Sequence, residues 1–500
     1  MIVLFNPLST TPGKQPLPLS LMALAAVLDA HGERWTLVDG NVTKDPAAEI
    51  IARLADVHPS RTPILGVTVM PGPQVANAVK ACRRVKLALP HVPIVWGGYF
   101  PTQHAHTVLQ APYVDFVIRS QGELALPELI RVLRSGGILN RVPGLSWRGS
   151  PAGADRPASI VDNPTGPITP LDELPDLPYH RVDMERYIHA NYLGRRTAAH
   201  NSSFGCPFAC SFCAVVAMSN RRWVAQSPAR MERALRHLAD RYAVDGVQMH
   251  DMDFFISEAR VAEFADRIAD LGMAWWALGR VDTLMQYSDA TWQKMARSGL
   301  KMLFSGAEAG SDEALARMNK GGRAAASLTL ELARRTRHYG IVPEFSFVLG
   351  SPPDPLGDVA ATFEFIRTVK RINPATEIIL YTYTPVPLDG PLYAEAQRHG
   401  FAFPATLDAW ASAASEQLAM RRGDGLPWID AQVRKKIRNF ERVINAYYPT
   451  TTDMSLTGWH RRALRMASSL RYRLKWYHAP YELRALQRLI RYQRPETTGF

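Results

Sequence analysis

The most informative stretch of this sequence reads Ser203-Phe204-Gly205-Cys206-Pro207-Phe208-Ala209-Cys210-Ser211-Phe212-Cys213. Three of the four cysteines fall within eight consecutive residues there, with three residues between the first pair and two between the second. Thiolates this close together can bind three irons of a cubane cluster and leave the fourth iron without a protein ligand. We therefore predict an iron–sulfur cluster on Cys206, Cys210 and Cys213, with one iron open to a small molecule.

A zinc site is the alternative for the same cysteines. Structural zinc is almost always bound by four protein ligands, so a residue such as His200 or His250 would have to complete the set. Zinc sites commonly close with a second Cys or His pair at short spacing. Because no such pair follows Cys213, the sequence favours iron–sulfur over zinc.

Length and composition are those of an ordinary globular chain with several domains. At 500 residues, the chain exceeds the roughly 250 to 300 residues at which single cores stop growing. There is no apolar run of about 18 residues, so we expect no transmembrane helix. The start of the chain lacks the basic region of a secretory signal. Few cysteines, most of them clustered, indicate a reducing compartment, so we expect a cytoplasmic protein.

The net charge of +12 is concentrated at one end of the chain. Residues 431–500 contain 15 Lys and Arg against 4 Asp and Glu, and the rest of the chain is close to neutral. This distribution argues against a uniformly basic nucleic-acid-binding surface, so we expect no nucleic-acid partner.

Residues 1–135 alternate short apolar runs with amphipathic stretches, the pattern of βαβ units in a parallel sheet. The predicted strands are Ile2–Phe5, Trp35–Val38, Ile64–Val69, Ile94–Trp96 and Phe116–Ile118. We predict an α/β fold with a flavodoxin-like or Rossmann-like doubly wound sheet, which binds ligands outside the carboxyl ends of its strands. Cys82 lies in a helical stretch between two of these strands and is predicted to be a half-buried thiol of the core.

Glycines follow several of the predicted strands. The strand ends read Asn6-Pro7, Asp39-Gly40, Val69-Met70-Pro71-Gly72, Gly97-Gly98-Tyr99 and Gln121-Gly122-Glu123. Glycine allows backbone to approach a large flat ligand, although tight turns of α/β proteins use glycine without any ligand. None of these ends carries a lysine-bearing phosphate loop, which argues against a nucleoside triphosphate.

Residues 136–190 are rich in proline and are predicted to be a linker, because proline prevents long helices. Strand and helix patterns resume over 191–395 and give six βα units, counting the strand before the cysteines. Six such units predict a partial (β/α)6 barrel of the TIM type, with its chemistry at the carboxyl ends of the strands. The polar residues at those ends include Asp251, Asp253, Arg280 and Glu308. Glu308 could reach a ligand from its glycine-flanked turn, or it could cap the helix that begins near Ser311.

Residues 396–500 lack the βα pattern and are predicted to be a basic, mainly helical region. Helices are expected over 431–448 and 458–477, with Leu464, Ala467, Leu470 and Leu474 on one face of the second. A basic amphipathic helix with aromatic residues at its ends is typical of a membrane interface. The alternative is a helix packed on the barrel with a solvated basic face. Membrane contact would place the protein at the inner face of the membrane and favour a lipid or other hydrophobic substrate.

The cysteine stretch resembles the defining motif of the radical SAM enzymes, in which an aromatic residue, here Phe212, precedes the third cysteine. Its surroundings resemble the version found in the subset with an N-terminal cobalamin-binding domain, which includes the class B methyltransferases. Later stretches resemble the barrel signatures of that group, and Trp96-Gly97-Gly98 and Gly122-Glu123 resemble its cobalamin domain. The resemblance covers about residues 1–400.

This resemblance implies a 4Fe-4S cluster, S-adenosylmethionine and cobalamin as cofactors, with electrons from a flavodoxin-type or ferredoxin-type donor. It implies that Phe212 lies near the adenine, Asp251 and Asp253 near the methionyl amine, and Arg280 and Glu308 near the ribose or carboxylate. The cobalamin-binding residues implied are Pro7, Val69, Met70, Gly97, Gly98, Tyr99, Gly122 and Glu123.

One departure from related domains concerns the lower cobalt ligand. Many cobalamin domains of mutases carry Asp-x-His-x-x-Gly, and the nearest stretch here, Asp29-Ala30-His31-Gly32, has its glycine misplaced at a helix end. The resemblance therefore implies cobalamin bound base-off without a histidine ligand. Met70 and Tyr99 would then shape the lower face.

The resemblance implies methylation of an unactivated carbon of a small-molecule or lipid substrate through a 5′-deoxyadenosyl radical and methylcobalamin. An oxidative cyclisation or rearrangement with the same cofactors is a second possibility. Methylthiotransferase relatives need further cysteines for an auxiliary cluster, and only Cys82 remains here. A non-catalytic iron–sulfur protein is the alternative of a different class.

Overall fold

The computed structural model describes residues 1–10, 13–57, 62–149, 159–320 and 324–490. Pro151 and Pro157 of the predicted linker lie outside these residues. The chain forms two largely parallel sheets, one on each side of that linker, followed by a helical region. The α/β fold predicted from the sequence is confirmed.

The first sheet has seven strands within the described residues, in the order β2-β1-β3-β4-β5-β6-β7. Neighbouring strands are parallel from β2 to β5 and antiparallel at β5–β6 and β6–β7. The change of direction between β1 and β3 places a ligand-binding crevice at their carboxyl ends. The strands are β1 (Ile2–Asn6), β2 (Trp35–Asp39), β3 (Ile64–Thr68), β4 (Ile94–Gly97), β5 (Phe116–Ile118), β6 (Leu145–Arg148) and β7 (Ile160–Asp162).

Helices cover both faces of this sheet because each presents an apolar stripe to it. Asp45 caps the second helix by accepting a hydrogen bond from the backbone N–H of Ala48, and Pro46 occupies its first turn. Cys82, on the third helix, is fully buried and accepts a hydrogen bond from Trp96 Nε1, so it lies deeper than the sequence suggests. The helices are α1 (Leu19–Ala30), α2 (Pro46–Ala55), α3 (Pro73–Ala88), α4 (Tyr99–Gln103), α5 (Ala105–Leu109) and α6 (Ala125–Ser135).

The predicted linker contains more regular structure than its prolines suggest. Strands β6 and β7 extend the first sheet into residues 136–190, because Leu145 and Trp147 of β6 bury their side chains against it. The rest of the segment lies along both domains. Arg230 donates hydrogen bonds to the carbonyls of Leu171, Leu174 and Pro175.

The second sheet is a parallel partial barrel of six strands over the described ranges, in the order β15-β14-β13-β12-β11-β8. Strands β9 and β10 form a separate two-stranded antiparallel sheet. The strands are β8 (Thr197–His200), β9 (Ser203–Gly205), β10 (Trp223–Ala225), β11 (Gly246–Met249), β12 (Ala274–Arg280), β13 (Leu300–Glu308), β14 (Val342–Leu349) and β15 (Glu377–Thr382).

The barrel helices pack on the outside of these strands, and the largest buried apolar cluster of the chain lies between them. Serine side chains cap several of these helices at their N-termini, as at Ser227, Ser257 and Ser288. The helices are α7 (Val215–Ser219), α8 (Pro228–Tyr242), α9 (Glu258–Ile268), α10 (Val281–Leu284), α11 (Asp289–Arg297), α12 (Asp312–Arg317), α13 (Ala326–His338) and α14 (Pro355–Ile372).

The C-terminal helices join the two domains and then pack on the outside of the barrel. Trp410 contacts Phe100 of the first domain at a ring distance of 5.1 Å, while Phe440 stacks on Phe363 of α14 at 3.7 Å. None of the helices described is long and apolar enough to cross a membrane. They are α15 (Pro391–Arg398), α16 (Leu407–Trp410), α17 (Ala413–Ala419), α18 (Ala431–Tyr447), α19 (Gly458–Arg473) and α20 (Tyr481–Leu489).

Helix α19 buries only part of the apolar face predicted from the sequence. Leu464 is buried, but Leu470 and Leu474 are 62% and 66% exposed. The inward face is instead made of Leu464, Ser468, Arg471 and Tyr472. Ser468 and Arg471 fit this face because Ser468 Oγ donates to the carbonyl of Leu464 and Arg471 bonds Glu482 and nearby carbonyls.

Candidate functional site

The three clustered cysteines lie on the loop that follows β9, within the segment that connects β9 to its antiparallel partner β10. Gly205, the last residue of β9, has φ +83°, and a Cβ atom there would lie 2.1 Å from the carbonyl oxygen of Arg222. Only glycine fits this crossing. The loop is therefore fixed at its entry, and Ser219 Oγ accepts a hydrogen bond from the backbone N–H of Cys206.

A short segment after α12 holds the other side of the cysteine loop. Ser211 donates from both its backbone N–H and its hydroxyl to the carbonyl of Met318, at 3.1 and 2.8 Å. Asn319 donates to the carbonyl of Ala209. The cysteine loop is thus bound to the barrel at a point more than 100 residues further along the chain.

All three cysteines are free thiols. Burial raises the pKa of the Cys206 thiol to about 12 and that of the Cys213 thiol to about 11, and it also raises the pKa of Cys210. A thiolate in this pocket therefore needs a nearby positive charge, which bound iron supplies.

One of the two histidines that could complete a zinc site is already engaged. Both ring nitrogens of His200 are engaged, one with Tyr179 Oη at 3.0 Å and the other with Gln226 Oε1 at 3.2 Å. Within the described ranges, no three His, Cys, Asp or Glu side chains are arranged to hold a single metal ion. The thiols of an iron–sulfur cluster bind separate irons, so they need not converge on one point.

Arg280 links the cysteine loop to the barrel. Its Nη1 lies 3.2 Å from Cys210 Sγ, and its guanidinium group stacks 3.8 Å from the ring of Phe208. Asp282 fixes the orientation through two hydrogen bonds of 2.9 and 2.8 Å, and Nη2 donates to the carbonyl of Lys320. The sequence selected Arg280 as a ligand-binding residue, and the structure places it directly beside a cluster cysteine.

The two predicted aspartates differ in their surroundings. Asp251 accepts hydrogen bonds from the backbone N–H and the hydroxyl of Ser202, so its carboxylate holds the loop before β9. Asp253 is 2% exposed, and neither of its carboxylate oxygens has a hydrogen-bond partner among the described residues. Burial raises the pKa of Asp253 to about 7, while the charge of Arg280 acts in the opposite direction. Asp253 is therefore the aspartate with capacity for a ligand.

Glu308 ends β13 in the left-handed region, with φ +63°, and forms a buried ion pair of 2.8 Å with Lys320. Lys320 also donates to the carbonyl of Gly306 at 2.6 Å. The N-terminus of α12 is capped by Ser311, so Glu308 does not serve as the helix cap that the sequence left open. Phe212 is half-buried against the barrel core.

The predicted cobalamin-binding residues lie at or just beyond the carboxyl ends of β1, β3, β4 and β5, with Gly97 as the last residue of β4. Met70 is 45% exposed, which is unusual for an apolar side chain at the end of a buried strand. Gly98 has φ +94°, and a Cβ there would come within 3.0 Å of Thr68 Oγ1. Burial raises the pKa of the Glu123 carboxyl. The whole set is Pro7, Val69, Met70, Gly97, Gly98, Tyr99, Gly122 and Glu123.

Gln74 connects two of these strand ends and was not selected by the sequence. Its side chain accepts from the backbone N–H of Met70 at 2.7 Å and donates to Asn6 Oδ1 and the carbonyl of Pro7.

His31 lies at the C-terminal end of α1 and bonds the carbonyl of Val27. Helix α1 runs back from the carboxyl end of β1, so His31 lies at the opposite edge of the sheet.

Arg421 is a further residue that the sequence did not single out. Its charge lowers the pKa of the Cys213 thiol and of the Tyr99 phenol, against the larger, opposing effect of burial on each. Its guanidinium group also lies 5.7 Å from the ring centre of Tyr381 at the end of the barrel. In the part of the chain that the structure describes, Arg421 forms no ion pair with a carboxylate. No motif marks Arg421, because it lies in the irregular segment that follows α17.

Comparison with known proteins agrees with this geometry. The B12 binding domain family matches residues 7–130, and the Radical SAM superfamily matches residues 200–366. An uncharacterized methyltransferase of Pyrococcus horikoshii is 25% identical over 355 residues, covering 70% of this chain and 73% of the relative. The anaerobic magnesium-protoporphyrin IX monomethyl ester cyclase of Synechocystis is 25% identical over 340 residues, covering 67% of this chain and 64% of the relative. The chain thus spans less than two thirds of that cyclase.

A solved structure shows the same fold. It is the radical S-adenosylmethionine methyltransferase TsrM from Kitasatospora setae with cobalamin and a [4Fe-4S] cluster bound, at a TM-score of 0.62 and 17% identity. The similarity covers 80% of this chain and 78% of that one.

The residues present fit the cofactors that the two domains imply, which are a 4Fe-4S cluster with S-adenosylmethionine and cobalamin. Three free thiols on one loop, with Arg280 beside Cys210, suit the cluster. Gly98 leaves no room for a side chain beside Thr68 and Val69, so the backbone after β4 lies close to the end of β3, at the edge where a large flat cofactor would bind. The predicted cofactors are confirmed.

Proposed function

The chain belongs to the radical SAM enzymes that carry a cobalamin-binding domain, and we propose that it methylates an unactivated carbon of a small-molecule substrate. The proposal rests mainly on one observation. Helix α4, which begins at Tyr99 at the edge of the first sheet, packs against α7, which begins two residues after Cys213 of the cysteine loop. The charge of Arg421 acts on the pKa of both Tyr99 and Cys213. The edge that would hold cobalamin and the loop that would hold the cluster therefore face the same space.

The two cofactor systems together supply a hydrogen-abstracting radical and a methyl group. For the protein side, we propose that Cys206, Cys210 and Cys213 hold the cluster. Arg280 keeps a positive charge against Cys210, fixed by Asp282.

Around the open iron we propose that Asp253 receives the methionyl amine of S-adenosylmethionine, because its buried carboxylate lacks a partner among the described residues. Phe212 would pack on the adenine, and Arg280 and Glu308 would face the ribose or carboxylate. Asp251 would act by holding Ser202 rather than by touching the ligand.

On the cobalamin side, we propose that the edge formed by Pro7, Val69, Met70, Gly97, Gly98, Tyr99, Gly122 and Glu123 holds the cofactor base-off. Met70 and Tyr99 would lie below the cobalt. His31 ends α1 and its Nδ1 is engaged with the carbonyl of Val27, which supports binding without a histidine ligand.

The interior of the barrel offers a largely apolar place for the substrate. Leu278 and Phe304 pack on the buried interior cluster and remain partly exposed. His250 lies against Trp276 at a ring distance of 5.8 Å, and its Nε2 has no hydrogen-bond partner among the described residues. We propose that an apolar body with one polar group binds there.

The test combines a cofactor assay with labelling. The protein is reconstituted anaerobically with iron, sulfide and cobalamin and reduced with dithionite or a flavodoxin-type or ferredoxin-type donor, the electron source we propose. Release of 5′-deoxyadenosine is expected from the wild type and not from Cys213→Ala. Failure to cleave S-adenosylmethionine would indicate a non-catalytic iron–sulfur protein.

Methyl transfer is tested in cells given methionine with a deuterated methyl group. We expect a metabolite that carries the deuterated methyl in cells with the wild-type protein and lacks it in cells with Cys213→Ala. The cyclase relative favours oxidative cyclisation as the second candidate. A cyclised or oxygenated product without the label would establish that candidate and overturn methylation.

A further inference from the structure

The outward side of α19 carries a row of apolar side chains. Trp459, Met466 and Leu470 are 72%, 73% and 62% exposed, and they are spaced by seven and four residues. Side chains at these spacings lie on one face of a helix. The row continues at Leu474, just beyond the helix, so α19 presents an apolar stripe to solvent.

This stripe is not a misplaced part of the core, because α19 already has a buried face. Leu464 is fully buried, and Tyr472 stacks on Tyr447 of α18 at a ring distance of 4.1 Å. The helix thus has one face buried against the protein, which also includes Ser468 and Arg471, and an apolar face directed outward.

Helix α20 repeats the arrangement. Leu483 is buried on its inner side, whereas Tyr481 and Leu489 are 65% and 82% exposed. They are eight residues apart and therefore also lie on one face of the helix. Two consecutive helices thus each bury one face against the rest of the protein and expose apolar side chains on another face.

Arginines flank both rows. Arg462 lies one helical turn before Met466, and Arg473 lies one helical turn after Leu470. Both arginines are exposed. Over the described ranges, neither of them pairs with a carboxylate, whereas the buried Arg471 pairs with Glu482. Arg484 and Arg488 occupy the corresponding positions on α20. Helix α19 contains no acidic residue.

We propose that this C-terminal face docks on an anionic lipid bilayer. We define the face by the outward side chains Trp459, Arg462, Met466, Leu470, Arg473, Leu474, Tyr481, Arg484, Arg488 and Leu489. Apolar side chains enter the boundary between head groups and acyl chains, while arginines at the same level meet lipid phosphates. The excess of 15 Lys and Arg over 4 Asp and Glu in residues 431–500 complements a negative surface.

A nucleic acid is a poorer fit, because phosphate backbones are bound by basic groups and the centre of this face is apolar. Trp459 and Tyr481 add the amphipathic aromatic rings that are enriched at membrane interfaces. Docking would bring an apolar substrate within reach of the protein without a membrane-spanning helix.

The test is flotation of the full-length protein with cofactors bound, using phosphatidylcholine vesicles with and without phosphatidylglycerol. We expect binding to the anionic vesicles at low salt, at least tenfold weaker in 0.5 M salt or on pure phosphatidylcholine. The double variant Met466→Asp, Leu470→Asp and the double variant Arg462→Glu, Arg473→Glu should each lose binding at least tenfold.

Leu87→Asp is the matched control, because Leu87 is 83% exposed on α3, far along the chain from this face. It should bind vesicles as the wild type does. Release of 5′-deoxyadenosine without lipid shows whether each variant is folded, so the result does not depend on the identity of the substrate.

Three outcomes would overturn the proposal. One is wild-type protein that does not float with anionic vesicles at low salt. A second is binding that survives Met466→Asp, Leu470→Asp or is equally lost in Leu87→Asp. A third is the absence of vesicle binding together with a dimer that the Met466→Asp, Leu470→Asp variant dissociates, which would identify a protein–protein interface.

Discussion

Nη1 of Arg280 lies 3.2 Å from Sγ of Cys210, with the guanidinium group fixed by Asp282. A positive charge beside a cluster thiolate stabilises the added electron of the reduced cluster. The end of β12 would therefore influence the redox chemistry of the cluster that we propose on a loop 70 residues earlier in the chain.

Replacing Arg280 with glutamine should make the cluster harder to reduce. We expect the midpoint potential to fall by on the order of 60 mV, which is a tenfold change for a one-electron couple. Redox titration followed by electron paramagnetic resonance measures it. Asp282→Asn should shift the potential in the same direction by less, and Arg233→Gln, on an exposed position of α8, should leave it unchanged. An unchanged potential in Arg280→Gln would refute this role.

Arg421→Gln should weaken cobalamin binding, because the positive charge of Arg421 acts on Tyr99 at the edge that we propose holds the cofactor. We expect Kd to rise by roughly tenfold, which corresponds to about 1.4 kcal/mol. Titration with hydroxocobalamin followed by its visible spectrum gives Kd. The neighbouring Arg422 pairs with Glu441 instead, so Arg422→Gln should bind as the wild type does. Equal affinities of the two variants would contradict the assignment.

Gly98→Ala should reduce both stability and cobalamin uptake. Gly98 has φ +94° and ψ −160°, a region open essentially to glycine alone, so a side chain there costs on the order of 1 to 3 kcal/mol, and the added methyl also meets Thr68 Oγ1 at 3.0 Å. Gly32→Ala is the control, because its φ is +67° and no atom lies within 4 Å of the added Cβ. Thermal unfolding and cobalamin titration should show a loss of uptake in Gly98→Ala alone. Similar behaviour of both variants would indicate backbone strain only.

Glu344, on β14 inside the barrel, should make stability depend on pH. Burial raises the pKa of its carboxyl to about 7, a hydrogen bond from Trp276 opposes this, and the charge of Glu377 adds to it. The carboxyl of an unfolded glutamate has a pKa of about 4.3. Between the two pKa values the native state binds more protons than the unfolded state, so the free energy of unfolding falls as pH rises.

Glu344→Gln removes this dependence and keeps an acceptor for Trp276. We expect the variant to be more stable than the wild type by on the order of 2 kcal/mol at pH 8, and not at pH 4. Thermal unfolding at the two pH values measures the difference. The exposed Glu313→Gln should behave as the wild type does, and a gain at pH 4 equal to that at pH 8 would exclude a titration effect.

Much of the architecture could be predicted because periodicity is a local property of sequence. The strands predicted over Ile2–Phe5 and Phe116–Ile118 coincide with β1 and β5 to within one residue. Strands β6 and β7 were missed because proline density obscured them. The burial of α19 could not be predicted because the helix carries apolar residues on two faces, and only its contact with α18 determines which face is inside.

The sequence alone determined the candidate ligands of the cluster, because the spacing of Cys206, Cys210 and Cys213 on one short loop is encoded in eight consecutive residues. It also determined the order of the two domains. Only the tertiary structure revealed that Arg280, Lys320 and Arg421 surround this loop. These residues are 67 or more positions away from the cysteines. The packing of distant strand ends and of the segment after α17 brings these three side chains to the cysteine loop. No local sequence pattern predicts such long-range contacts.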